Sequence, residues 1–240
     1  LGFVAMLLPG DVAVAEIKVM CPPPMRTSVV ALTEQFERAS AHKVAIVHTP
    51  SRFIVDRVQA GEAFDLTILT AQASDSLIKA GRLARRVDVA RSSIGVAVRV
   101  GTPKPDVSNA EALKRTLLGV KTFARNEGAE SGNHMLRVFE QLGITEQMRP
   151  KTTAMPVNAG YVAELVARGE AEMAAQQMPE LYAVAGVEPM PLPPELQLVL
   201  VFSAGVSAAT KTPEAVDEFV RFLTSPAAAP VLRSKGLDPA

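Results

Sequence analysis

Short β-branched runs alternating with segments of helical period are what most constrain this chain, because that order admits few folds besides a largely parallel sheet with helices on its faces. The pattern runs IKVM, a helical segment over Thr27–Ser40, KVAIVH, a second helical segment over Phe53–Gln59, and FDLTIL, which together read as βαβαβ. In the first helix Val29, Leu32, Phe36 and Ala39 share one face while Glu34, Glu37 and Arg38 point elsewhere, as a helix lying on a sheet requires. A helix over Ser74–Lys79 stops at Gly81, and SIGVAVRV is the next strand. It runs into Gly101, Thr102, Pro103, Lys104, Pro105 and Asp106, a stretch that breaks the pattern.

A second unit of the same kind follows. Ser108 with Glu111 three residues on predicts a capping box for a helix carrying Ala112, Leu113, Leu117 and Leu118. Then come VKTFA as strand, a helix over Ser131–Leu142 stopped by Gly143, a short strand near Thr153–Met155, a helix over Gly160–Ala167 stopped by Gly169, and EMAAQQ as strand. After a proline-rich stretch (Pro189, Pro191, Pro193, Pro194), LQLVLVFSAGVSA is long enough to cross back to the first unit. A helix over Pro213–Leu223 and a shorter one after Pro226 close the chain. The expected fold is therefore a two-lobed α/β protein, each lobe a mixed sheet flanked by helices, with two β crossovers as hinge. Residues 16–96 and 204–240 form lobe 1 and residues 97–203 form lobe 2. Such a plan places a cleft between the lobes, lined by strand carboxyl ends and helix amino ends.

Composition narrows the function. Twenty-five Lys+Arg balance 25 Asp+Glu, so no basic field gathers nucleic acid. One cysteine, Cys21, permits no intrachain disulfide, and His42, His48 and His134 lie too far apart in sequence for a close-spaced zinc motif. No metal or cofactor is expected. The opening run LGFVAMLL is too short to span a bilayer and is broken by Pro9 and Gly10. Ala13, Val14 and Ala15 supply the small-x-small pattern of signal-peptidase sites, so residues 1–15 read as a signal-peptide remnant cleaved before Glu16. The alternative is a buried amino-terminal strand or helix. No other apolar run of spanning length follows, so the mature chain is expected to stay out of the membrane.

Four strand-to-helix junctions are the candidate binding elements, because unpaired amides and the positive end of the helix dipole attract anions there. The first is Cys21–Ser28, whose three prolines donate no N–H and leave recognition to Arg26, Thr27 and Ser28 beside Met25. The second is Thr49–Arg52, with Ser51 and Arg52. The third, Glu127–His134, mixes small residues with Ser131, Gly132, Asn133 and His134. The fourth holds Asn158, Gly160 and Tyr161, and Gln177 is placed at the rim. For each the alternative is an ordinary helix-capping turn, or for Tyr161 a half-buried core side chain. Gly128–Gly132 reads G-A-E-S-G and lacks the spacing of a hydrolase nucleophile elbow; Ser76–Lys79 fits S-x-x-K without its companion motifs; no P-loop and no G-x-G-x-x-G occurs.

Several of these segments carry a resemblance: IKVM…ALTEQFE, AGEAFDLTIL…LIKAGRL, GVAVRVGTPKPD, ESGNH, YVAELVARGEAEMAAQQMPEL and FSAGVSA…FLTSPAAAPVLRSKGL. Over Glu16–Ala240 the chain resembles the molybdate-binding-protein-like family of periplasmic solute-binding proteins, which serve ABC importers. The resemblance implies a monomeric, exported, two-lobed protein that grips a small anion between helix amino ends and docks on an ABC permease. Molybdate and tungstate binders of that family use serine hydroxyls and backbone amides from a small-residue loop after the first strand. Here that loop is proline-rich and flanked by Arg26, with Arg52 nearby, so a di- or tricarboxylate is the favoured ligand. VARGEAEMAAQQMPEL is similar to a branch that includes an aconitate isomerase, which implies an enzymatic alternative with His134, Glu127 or Glu130 as the base.

Overall fold

The computed structural model describes residues 14–240. Except for Val14 and Ala15, the segment read as a leader lies outside the described residues. In the first half, strands and helices alternate as β1 (Glu16–Cys21), α1 (Arg26–Ala39), β2 (Lys43–His48), α2 (Ser51–Gln59), β3 (Leu66–Thr70) and α3 (Ala71–Lys79). β1 lies between β2 and β3 and runs parallel to both. After α4 (Ala110–Gly119) the plan repeats with β5 (Phe123–Glu127), α5 (Glu130–Gln141), α6 (Thr145–Met148), β6 (Thr152–Pro156), α7 (Ala163–Ala167), β7 (Met173–Gln177) and α8 (Met178–Tyr182). β5 lies between β6 and β7, again parallel to both.

Two antiparallel strands join the halves. β4 (Leu83–Arg99) pairs with β9 (Val199–Ser207) through Leu83–Ser93 and with β7 through Ile94–Val98. β9 pairs in turn with β3. The resulting order is β2-β1-β3-β9-β4-β7-β5-β6, with β8 (Val187–Pro191) and β10 (Asp238–Pro239) also on β4. α9 (Pro213–Leu223) and α10 (Ala229–Ser234) close the first half. This is the mixed α/β architecture expected from the sequence. The chain passes between half-sheets at Ser93–Ile94 and ahead of Val199, a few residues before the positions read from the sequence.

Each half-sheet is covered on both faces. Ile17, Val19, Leu66 and Ile68 meet Leu32 and Phe36 of α1 and Phe219 of α9, while Met20 and Leu69 meet Ile54, Val58 and Leu77 of α2 and α3. In the second half Phe123 and Met173 meet α4 and α5 through Leu113, Leu117, Val138 and Phe139, and Ala124 and Ala174 meet Val166 and Leu181 of α7 and α8. Each large side chain so buried contributes about 1.5–3 kcal/mol.

Several boundaries differ from the sequence reading. β4 begins ten residues before Ser93, because Arg85, Arg86 and Asp88 hide its alternation; Arg85 pairs with Asp217, and Arg86 with Asp88 and, at 2.6 Å, with Asp75. α4 is capped by Asn109, which accepts from the Ala112 N–H at 2.9 Å, and not by Ser108, whose N–H goes to Asp106. β5 lies three residues later than VKTFA. Its polar end is retained because Gln176 donates to the buried Asn126 side chain at 2.8 Å. The helix expected from Gly160 starts at Ala163, since Gly160 has a φ of 111°. Helix α8 and strand β8 were not anticipated. The prolines of β8 are tolerated because Leu192 N–H bonds Ile94 while the alternate positions, Pro189 and Pro191, face away from β4.

A Cβ on Gly132 would overlap the Asn126 carbonyl oxygen, so glycine lets the first turn of α5 sit on the end of β5. Gly132→Ala is expected to lower stability by about 1–3 kcal/mol in urea unfolding, through overpacking against backbone.

Candidate functional site

Parallel strands send their carboxyl ends to one edge, and in this fold six strand–helix junctions converge on one cleft of about 440 Å³. The first half contributes Pro23 and Pro24 before α1, Pro50, Ser51, Arg52 and Phe53 at the start of α2, and Thr70 and Ala73 at the start of α3. The second contributes Glu127–Glu130 between β5 and α5, Pro156–Asn158 after β6, and Gln177 and Glu180 where β7 turns into α8. Phe202 of β9 is also part of the wall. The sequence reading had four of these junctions; it missed Thr70, whose hydroxyl caps α3 by accepting from Ala73 N–H at 3.3 Å, and it saw the β7–α8 junction only as a rim position.

Of the residues singled out from the sequence, Ser51, Arg52, Asn158, Gln177, Glu127 and Glu130 line the cleft. Arg26 is exposed at the first position of α1, next to the lining prolines, with Thr27 half-buried beside it. Neither Arg26 nor Arg52 forms an ion pair among the described residues; the Arg52 guanidinium lies 5.4 Å from the centre of the Phe53 ring. Tyr161 is half-buried in the turn that Gly160 opens, and the Asn126 side chain donates to the Gly160 carbonyl at 3.4 Å. Gln176 accepts from Ala163 N–H at 3.2 Å, so Asn126 and Gln176 together fix this turn against β5.

Others are brought elsewhere. Met25 belongs to the core around α1, and the Ser28 hydroxyl donates to the Met25 carbonyl at 2.9 Å, closing the helix start. Gly132 packs on β5, and Asn133 is exposed on α5 away from the lining. Ser131 is 1% exposed and its hydroxyl has no partner among the described residues. His134 faces away from the cleft: its Nε2 donates to the Leu196 carbonyl at 2.7 Å. Burial holds its pKa below the usual histidine range, the Leu196 bond opposing and Arg137 assisting. A base drawn from the third junction is therefore Glu127 or Glu130, both on the cleft wall.

The triple proline changes what the first junction offers. Pro22, Pro23 and Pro24 have no N–H; the next two amides are consumed locally, Met25 N–H by the Pro22 carbonyl at 3.0 Å and Arg26 N–H by Pro23. Positive charge replaces amides there. The Arg26 charge is felt at Cys21, His48 and Tyr161. The Cys21 thiol is pushed far up by burial, against Arg26, and stays protonated. His48, at the end of β2, is held low by burial and then by Arg26.

Residues 17–238 match the family model described as bacterial extracellular solute-binding protein. An aconitate isomerase from Pseudomonas sp is 33% identical over 213 residues, covering 85% of this chain and 80% of that protein. The periplasmic molybdate-binding protein of Azotobacter vinelandii superposes with a TM-score of 0.77 at 16% identity, over 92% of this chain and 98% of that one. L-phospholactate-bound PEB3 gives 0.70 at 14% identity, over 92% and 99%. At these identities the two solved structures are alike in fold.

Glu180 is the charged cleft residue that carried no sequence signal. It is 8% exposed, and its carboxyl accepts one N–H, from Gln177 at 3.3 Å. Burial pushes its pKa up to about 7, against that hydrogen bond. The folded state therefore holds a proton that the unfolded chain has released between the ordinary glutamate value of 4.5 and about 7, so this group costs stability as pH rises through that window. Glu180→Gln is expected to match the parent near pH 4 and to exceed it at pH 8 by on the order of 3 kcal/mol, read from urea unfolding at the two pH values.

Proposed function

We propose that this chain, which belongs to the bacterial extracellular solute-binding protein family, closes its two halves over a small organic di- or tricarboxylate and delivers it to an ABC-type permease from outside the cytoplasmic membrane. One observation carries the choice of ligand. The first junction presents prolines and Arg26 where a tetrahedral oxyanion needs amides, and Arg52, the second residue of α2 in the same half, stands on the cleft wall. A guanidinium matches a planar carboxylate with two parallel N–H bonds, whereas a dianion held by neutral donors depends on amides that are already used here. The phospholactate in PEB3 and the name of the Pseudomonas relative both support a carboxylate. Among the described residues no helix is long and apolar enough to cross a membrane.

Thermal denaturation against molybdate, tungstate, sulfate, citrate, tricarballylate and both aconitates tests this reading. Tricarboxylates are expected to stabilise by about 2.7 kcal/mol at a hundredfold excess over Kd, and molybdate to leave the melting temperature unchanged. Arg52→Ala is expected to weaken carboxylate binding by about tenfold or more, as loss of a charged hydrogen bond does. A shift with molybdate alone overturns the assignment.

A second reading, isomerisation of an unsaturated tricarboxylate, is favoured by the 33% identity to an aconitate isomerase. Moving the double bond requires removal and return of one proton, and Glu127 stands on the wall where a base would be needed. Incubation of trans-aconitate with the purified protein, followed by proton NMR, should then yield the cis isomer, and Glu127→Gln should slow it by about a hundredfold. Absence of any cis isomer above buffer excludes the enzyme.

A further inference from the structure

Glu180 is an acid in the wall of a cleft that recognises an anion. It lines the cavity, yet it makes no ion pair with any lysine, arginine or histidine among the described residues. Its one hydrogen bond is accepted from the Gln177 amide. As an anion it would face the ligand together with Glu127 and Glu130, three carboxylates against Arg52 on the cleft wall and Arg26 beside the lining prolines. Protonation removes one of the repelling charges and turns a repelling oxygen into a donor. Such a donor in a dry wall needs an acceptor.

We propose that Glu180 binds one carboxylate of the ligand as an acid, donating its proton in a hydrogen bond, so that the cleft takes up a proton from solvent with each polycarboxylate bound. The inference rests on the carboxylate reading of the cleft. No covalent bond changes: the proton adds to the Glu180 carboxylate and is shared with the ligand's oxygen. With a pKa of about 7 in the free protein, Glu180 is ionised above neutrality and must be reprotonated on binding.

The groups around Glu180 do not supply that proton. Strands β4 and β7, packed on α8, carry no titratable side chain over Ile94–Val98 and Met173–Gln177. On β8, Glu188 pairs with Lys104 at 3.0 Å. From the Pro23–Met25 side come Arg26, always charged, and Cys21, held as a thiol. Tyr161 is pushed up to about 12 by burial and by the Glu180 charge, and Glu164 of α7 pairs with Arg168 at 3.8 Å. His48 and His134 are both held below their usual range, so they remain neutral above pH 7. Glu127 and Glu130 complete the acids of the wall, with Arg52 across it.

The test is calorimetry with tricarballylate, which has no double bond to isomerise, at pH 8 in phosphate and in Tris. The difference in heat between buffers of unlike ionisation enthalpy counts protons. Wild-type protein should take up close to one proton per ligand, and its Kd should rise about tenfold per pH unit from 7.5 to 9. Glu180→Gln should bind with no uptake and a flat pH profile. Wild-type binding without uptake, or uptake that persists in the variant, overturns the inference alone. Failure of tricarballylate, citrate and both aconitates to bind overturns it together with the carboxylate reading. Should Glu180→Gln not melt cooperatively, the proton count and pH slope of the wild type decide the matter.

Discussion

The direction of the parallel strands is the constraint on which the site depends. A parallel pair must be joined by a crossover, here a helix, and each helix starts where its strand ends, so every loop that carries a free helix start is delivered to the same edge of its sheet. β1, β2 and β3 do this in one half and β5, β6 and β7 in the other. The antiparallel β4 and β9 then set the two edges against each other, because one continuous β4 belongs to both half-sheets. The cleft is thus a product of topology, and its chemistry is left to whichever side chains occupy six short turns.

At one of those turns the chain offers a positive charge in place of free amides. Amides in a helix start bind an oxyanion without charge and are indifferent to its shape; a guanidinium brings a full charge and a planar fork. Three successive prolines, followed by two amides bonded within the same turn, remove the first kind of donor at the first junction. Arg26 opens α1 one residue after the prolines, and Arg52 stands second in α2. A fold shared with a molybdate-binding protein therefore does not decide the donors at this junction, which its own side chains set.

Much of the fold was legible because hydrophobic period is a local property. α9 begins and ends where Pro213 and Leu223 predicted, and its buried Val216, Phe219, Val220 and Leu223 follow the helical spacing. The first part of β4 was not legible, since Arg85, Arg86 and Asp88 look like a loop until their partners on α3 and α9 are brought alongside. The site was legible only as junctions. Arg52 and Asn158 could be placed from strand ends, but His134 looked functional from its loop although α5 turns it toward Leu196. Glu180 follows Met178 and Pro179 in a helix of five residues, and nothing in that sequence says that the carboxylate is dry. Its burial is a tertiary fact.

That burial has a definite origin in how the halves meet. α8 belongs to the second half-sheet through β7 and β8, yet it packs on the Pro23–Met25 turn of the first half. Two residues beyond Glu180, Tyr182 lies so close to Gly236, just after α10, that a Cβ there would overlap its ring, and the Met178 carbonyl carbon would be 3.3 Å away. Glu180 therefore stands where the two halves meet, 8% exposed on the cleft wall. Separation of the halves would hydrate the carboxylate and favour its ionised form, just as burial in this arrangement favours the acid. If the halves close over a ligand as proposed, the two equilibria share one side chain, and closure and proton uptake then favour each other, whatever order the steps take.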